Sequence, residues 1–302
     1  MLRAWLELAR ISNLPTVWTN VTAGWLLVGG NISNAHLLWL LLAGSLLYTG
    51  GMILNDAADV RFDREHRPER PIPRGLVSVA ASWSVGLGML VAGWLLAVFM
   101  GEACWGITSA LVACILFYDF YHKPWPGAVW VMGMCRVLLL MMAGSSGLLE
   151  TCKVPGWLIL LPFALTLGAY IVGLTMVARM EAKSAQVAPW RIAFARLLLW
   201  MPGIAAALRM FDGQRLKPVM ILADFTPLVP LVLIFAFAAM VTVATRLMRQ
   251  GGPAIGRAVG ILLAGIALVD ALAVSEVSLP LAFGFAALAP VLRLWQRWIA
   301  AT

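Results

Sequence analysis

The chain has 302 residues, of which 62% are hydrophobic and only 12% charged. A soluble domain carries about twice that share of charge to cover its surface, so composition excludes a water-soluble fold. The formal charge of +8 then reports topology and contact with anionic headgroups rather than nucleic-acid binding.

Apolar runs of roughly 18 to 22 residues recur along the sequence, each able to cross a ~30 Å hydrocarbon core as a helix. A membrane β-barrel would show alternating segments of ~10 residues, whereas stretches such as 92–100 and 159–167 are apolar all round. The expected fold is all-α: a polytopic transmembrane helical bundle of nine or ten spans, formed as one domain over residues 1–302. The first span, 13–30, lacks a small-residue cleavage site and reads as a retained span. Further spans are expected at 36–55, 78–100, 103–119, 127–149, 156–178, 226–247, 257–274 and 278–297. A weaker stretch at 194–208, containing Pro202, decides between nine and ten, and the distribution of Lys and Arg favours ten. In either count the connections after spans 2, 4 and 6 share one face, expected to be cytoplasmic. Cys104, Cys114, Cys135 and Cys152 lie in apolar segments without CxxC spacing, which makes them packing residues.

The connection after span 2 is the anomaly. It holds Asp56, Asp59, Asp63, Glu65 and Glu69, five of the chain's 14 acidic residues. If span 2 continues as a helix, the aspartates of Asn55-Asp56-Ala57-Ala58-Asp59-Val60-Arg61-Phe62-Asp63 fall at i, i+3 and i+7, on one helical face. Three carboxylates so close to a bilayer repel one another and resist desolvation. One resolution is a divalent cation: hard oxygen ligands suit Mg²⁺, which keeps several waters and bridges carboxylates to phosphates. The other is simple pairing with Arg61, Arg64, Arg67, Arg70 and Arg74 in a solvated loop. The chain continues Arg64-Glu65-His66-Arg67-Pro68-Glu69-Arg70-Pro71-Ile72-Pro73-Arg74-Gly75, a rigid proline-rich loop whose guanidinium groups could clasp a diphosphate.

These two runs in tandem closely resemble the NDxxDxxxD signature and the RPxRPIPxG continuation of the UbiA superfamily of intramembrane prenyltransferases. The resemblance extends to Ser12-Asn13-Leu14-Pro15-Thr16 with Asn20 and Gly24 in the opening span. It also covers Tyr118-Asp119-Phe120-Tyr121-His122-Lys123 after span 4. It implies a UbiA-like bundle that binds an isoprenyl diphosphate, uses Mg²⁺ to help diphosphate leave, and lets an acceptor attack the allylic carbocation. Carried over residue by residue, Asp56, Asp59 and Asp63 become catalytic, and Asn55, Asp56, Asp59 and Asp63 become the metal ligands. Asn55, Arg67, Arg70, Arg74, Lys123, Arg136, Arg179 and Lys183 become the groups around the diphosphate. Arg136, about two turns into span 5, either faces that site or pairs structurally with an acid such as Asp119.

After span 6 the family's second aspartate motif is expected, but this chain reads Gly173-Leu174-Thr175-Met176-Val177-Ala178-Arg179-Met180-Glu181-Ala182-Lys183. Only Glu181 remains as a carboxylate, between Arg179 and Lys183. Those cations either replace a second metal or mark a lineage that has abandoned transfer and binds a lipid or metabolite instead. The GLTxVAR-x-E form resembles the UbiA-like proteins of bacterial ebo clusters, associated with secondary-metabolite handling. The implied setting is the bacterial plasma membrane, with an unknown acceptor as second substrate. Asp270 is read as a helix-end hydrogen-bonding group, His66 as a solvated or phosphate-contacting residue, and the tryptophans as packing and interfacial anchors.

Overall fold

The computed structural model describes residues 1–123, 125–146, 157–181, 189–211, 228–296 and 298, all helix or connecting turns. A short α1 (Leu2–Leu8) and a 3₁₀ turn at Ile11–Asn13 precede α2 (Pro15–Leu27), α3 (Ala35–Ala58) and α4 (Val60–His66). Then come α5 (Val79–Leu95), extended by a π-turn to Met100, α6 (Trp105–Tyr121), α7 (Ala128–Ser146) and α8 (Trp157–Glu181). The last elements are α9 (Pro189–Phe211), α10 (Leu228–Gln250), α11 (Pro253–Ala264), α12 (Ile266–Val274) and α13 (Leu279–Trp295). Among the described residues, seven helical segments are long and apolar enough to cross a membrane, and α6 and α13 are shorter apolar helices. The disputed stretch 194–208 lies within α9, whose segment Pro189–Met210 is one of the seven. With the 13-residue α2, ten helical segments among the described residues correspond to the expected apolar runs, roughly consistent with a bundle of nine or ten spans, and α9 is long enough to be one of them.

Large apolar side chains such as Val91, Phe99, Leu208 and Phe235 point outward and exposed. That is the arrangement of a bundle whose solvent is lipid, since hydrocarbon outside is as apolar as the core. Helices therefore gain from close contact through small residues rather than from hydrophobic segregation. A Cβ at Gly24 of α2 would lie 2.2 Å from the Leu140 carbonyl oxygen of α7. The two backbones touch there, and only hydrogen fits. Gly24→Ala is expected to cost about 1–3 kcal/mol through forced helix separation, read as a lowered melting temperature in detergent.

The ends of the helices that bear the acidic motif are set by local chemistry. Asn34 caps α3 by accepting from His36 N–H at 2.9 Å, and Ser78 caps α5 by accepting from Ala81 N–H at 3.1 Å. At the other end of α3 the Asp59 amide bonds to Asn55 O and the Asp63 amide to Asp59 O, at 3.0 and 2.9 Å. Helical register thus runs through the boundary between α3 and α4, as the i, i+3, i+7 reading requires. The proline-rich loop is then folded under an apolar plug. Ile72 and Val77 bury against Ala4 and Leu8 of α1 and Ile53 and Ala57 of α3. That packing turns Arg70 inward and leaves Arg67 and Arg74 exposed.

Candidate active site

The C-terminal ends of α3 and α6 meet, and their polar side chains form one cluster. Asp56 Oδ1 lies 3.1 Å from Arg70 and 3.2 Å from Arg10, and Asp63 Oδ2 lies 2.8 Å from the same Arg70 nitrogen. Asp59 turns the other way, with Oδ1 2.8 Å from Lys123 Nζ and Oδ2 3.3 Å from His122 Nε2. Asn55 donates to Asp119 Oδ1 at 3.2 Å. All four aspartates and Asn55 are buried. Lys123 also sits 3.7 Å above the Phe62 ring, a cation–π contact that fixes its stem.

Environment separates the acids outside the spans. For Asp59, burial pushes the carboxyl up, but hydrogen bonds from His122 and Lys123 outweigh it and hold the group below its usual value. For Asp63, burial also pushes up and wins, although Arg70 opposes it. Arg10 is half-buried, and its desolvation works against its charge, yet Asp56 overcomes this and holds the guanidinium charged. Arg10 adopts φ 45°, a left-handed backbone that costs an L residue ~1 kcal/mol; its side chain reaches Asp56 from that turn.

Beneath the cluster a cavity of about 220 Å³ opens into the bundle. Its polar end carries Arg10, Asn13, Tyr48, Tyr118, Asp119 and Arg136, and its depth is lined by apolar residues of α3, α6, α7, α8 and α11. A charged head at the motif and an apolar tail along the axis would both find matching walls. A second groove of about 490 Å³ lies on the far side of Asp59 and Asp119, beside Phe62, Trp83, Phe120 and Lys123. Asp119 therefore stands between the two spaces.

The donor set fits a hard divalent cation in kind. It consists of carboxyl and amide oxygens, and Asp119 Oδ2 is a buried carboxyl oxygen with no hydrogen-bond partner among the described residues. In arrangement the acids are spread: among the described residues no three His, Cys, Asp or Glu side chains converge on one point. Such a site would hold Mg²⁺ through one or two carboxylates per ion, with water and phosphate filling the rest, which is how Mg²⁺ is usually held.

Other expected site residues have different settings. Arg136 is in the cavity wall, donating to the Thr16 carbonyl at 3.0 Å and to Thr16 Oγ1 at 2.9 Å; it makes no ion pair with Asp119 or any other described acid. Arg179 does not reach the aspartates. Its guanidinium donates to the carbonyls of His122, Trp125 and Pro126, tying α8 to the loop that presents Lys123. Arg67 and Arg74 are exposed, and His66 stacks on Phe62 with ring centroids 4.1 Å apart. Lys183 and Cys152 lie outside the described residues, as does the Glu181 side chain. Asp270 is buried and accepts from Thr19 across the bundle rather than from its own helix end. Arg10 and His122 were not singled out by sequence reasoning. His122 sits inside a quoted motif, but Arg10 carries no signal beyond its place two residues before Ser12.

Comparison with known proteins adds the lineage. A sequence profile for the UbiA prenyltransferase family matches residues 15–259. A digeranylgeranylglyceryl phosphate synthase from Ignicoccus hospitalis is 36% identical over 118 residues, 39% of this chain and 38% of that protein. One from Thermococcus gammatolerans is 29% identical over 164 residues, 52% of this chain and 59% of that protein. The matched stretch thus spans less than two thirds of either relative. The structure of a UbiA homologue from Aeropyrum pernix K1 superposes with TM-score 0.63 at 14% identity, covering 88% of this chain and 97% of that one. A UbiA homologue from Archaeoglobus fulgidus bound to GPP and Mg²⁺ gives TM-score 0.56 at 13% identity, covering 94% and 99%. At such identities the structural likeness is one of fold.

Proposed function

Since the chain belongs to the UbiA prenyltransferase family, we propose that it transfers an isoprenyl group from an isoprenyl diphosphate to an acceptor within the membrane. The observation that carries this reading is the buried acidic and basic cluster set over an apolar cavity, which matches a charged head joined to a hydrocarbon tail. Asn55, Asp56, Asp59 and Asp63 would hold Mg²⁺, which when bound would neutralise the diphosphate and ease its departure. Arg10, Arg70, His122 and Lys123 rest on the carboxylates and would move their hydrogen bonds to diphosphate oxygens as those enter. Arg136 would bind from the cavity side. The apolar walls would hold the tail extended and keep water from the carbocation, leaving it to the acceptor.

We place the motif end at the cytoplasmic face of a plasma membrane, because Arg61, Arg64, Arg67, Arg74 and Lys123 gather there. A bacterial origin rests on the likeness of the GLTxVAR-x-E segment, while the curated relatives above are archaeal. Incubating the purified protein with radiolabelled geranylgeranyl diphosphate and a lipid extract, then looking for a prenylated product, tests the transfer. A labelled product would identify the acceptor class; no product with any extract or soluble acceptor sinks the transferase reading.

Arg179 is assigned a supporting part. Arg179→Ala should raise KM for the isoprenyl diphosphate several-fold with kcat nearly unchanged, because Lys123 loses its anchored loop. Steady-state kinetics on both parameters checks this.

A second reading is favoured by one observation: Asp56, Asp59 and Asp63 are already neutralised by protein cations. A catalytically degenerate protein that binds a lipid or metabolite would need no metal. It predicts isoprenyl diphosphate binding that EDTA leaves unchanged, with no diphosphate released.

A further inference from the structure

The interior holds a second polar system, apart from the acidic motif, of which the proposed reaction uses only Arg136. It begins at Arg136, whose guanidinium spends two of its five N–H donors on the Thr16 carbonyl and hydroxyl. Thr16 in turn donates its hydroxyl to the Asn13 carbonyl at 2.7 Å. One helical turn along α2, the Thr19 hydroxyl lies 3.2 Å from that same Thr16 carbonyl and 2.6 Å from Asp270 Oδ2. The one Thr19 hydroxyl proton is shared between these two acceptors and lies nearer Asp270, so Arg136, Thr16, Thr19 and Asp270 form a polar chain linking α7, α2 and α12, joined through one turn of α2. Asp270 is 1% exposed and Thr19 2%, so the chain is shielded from solvent.

A guanidinium inside a membrane is costly unless an anion offsets it. No described carboxylate lies within ion-pair distance of Arg136, and the motif acids are taken by Arg10, Arg70, His122 and Lys123. The acid connected to Arg136 is Asp270, through two threonines. Arg209, the other cation beside Asp270, is committed to Glu276 at 2.5 Å.

We infer that Asp270 is a positioning residue for Arg136, acting through Thr19 and Thr16 to hold the guanidinium at the polar end of the cavity with its remaining N–H groups directed at the diphosphate. The inference rests on the proposed function for its ligand. Balancing Arg136 from the far side, instead of by a motif acid, keeps its charge available to an incoming anion. Asp270 touches no substrate; its effect passes through Arg136.

The test is a double-mutant cycle on geranyl diphosphate affinity, with Asp270→Leu, Asp270→Asn and Thr19→Val each made in the wild type and in Arg136→Gln. Asp270→Leu and Thr19→Val should weaken binding about ten-fold when Arg136 is present and less than about two-fold when it is absent. Asp270→Asn keeps an acceptor for Thr19 but removes the charge that balances Arg136, so it should recover only part of the affinity. Binding of geraniol, which has no diphosphate, should be unchanged throughout. Equal weakening in both backgrounds, or none, overturns the inference. A melting-temperature cycle on the same variants, read without ligand, should show losses from positions 136 and 270 that are less than additive; additive losses also overturn it. Should the wild type bind no isoprenyl diphosphate, the proposed function fails and the melting cycle alone decides whether the chain of bonds couples these residues.

Discussion

Asp59→Ala is expected to lower prenyl transfer by at least about a hundredfold while leaving the protein folded and membrane-inserted. Asp59 is the one motif acid turned toward the α6 loop, where it holds Lys123 at 2.8 Å and His122 at 3.3 Å. Its removal deletes an oxygen ligand and frees two cations that would otherwise be placed for the diphosphate. Because Lys123 keeps its contact with Phe62 and His122 keeps its bond to the Tyr118 carbonyl, the loop should remain in place. The loss should therefore fall on kcat, with melting temperature little changed. Retained turnover would remove Asp59 from the chemistry, and collapse of the fold would show its role to be structural.

Arg70→Ala should have the opposite balance, a large loss of stability together with loss of activity. One Arg70 nitrogen serves both Asp56 and Asp63, and Asp63 is 1% exposed. Taking the guanidinium away leaves Asp63 as a buried carboxylate without a counterion, while Asp56 keeps Arg10. Breaking such a buried pair from one side costs about 3 kcal/mol or more. Arg70→Lys, which supplies one point charge in place of a fork, should recover part of the stability and little activity. Chemical denaturation of the three proteins in the same detergent reads the difference. Equal stability of Arg70→Ala and wild type would mean that the acids are neutralised by something other than Arg70.

The membrane class, the helical bundle and the motif were legible because each rests on a local signal. Apolar run length gives spans, and i, i+3, i+7 spacing gives a helical register that the backbone keeps through Asp59, although the Asp59 side chain turns to the α6 loop while Asp56 and Asp63 share Arg70. What the sequence did not reveal depends on long-range packing. Arg70, Arg67 and Arg74 share one loop and one composition, yet only Arg70 turns inward, because Ile72 and Val77 anchor the loop against α1 and α3. Arg179 flanks an acid in sequence, but α8 carries it to the backbone carbonyls after α6. Arg10 joins the site through a left-handed turn that no hydropathy pattern announces. Asp270 looks in sequence like a local helix-end group, yet its partner Thr19 is 251 residues away; no spacing rule reaches that far.

The most direct test of the central claim is diphosphate release from a panel of isoprenyl diphosphates by the purified protein, with Mg²⁺ or with EDTA, in wild type and Asp59→Ala. Release that requires Mg²⁺ and disappears in Asp59→Ala is the predicted result. Binding of the same substrates with no release from the wild type under either condition would contradict the transferase reading and establish a binding protein built on this fold.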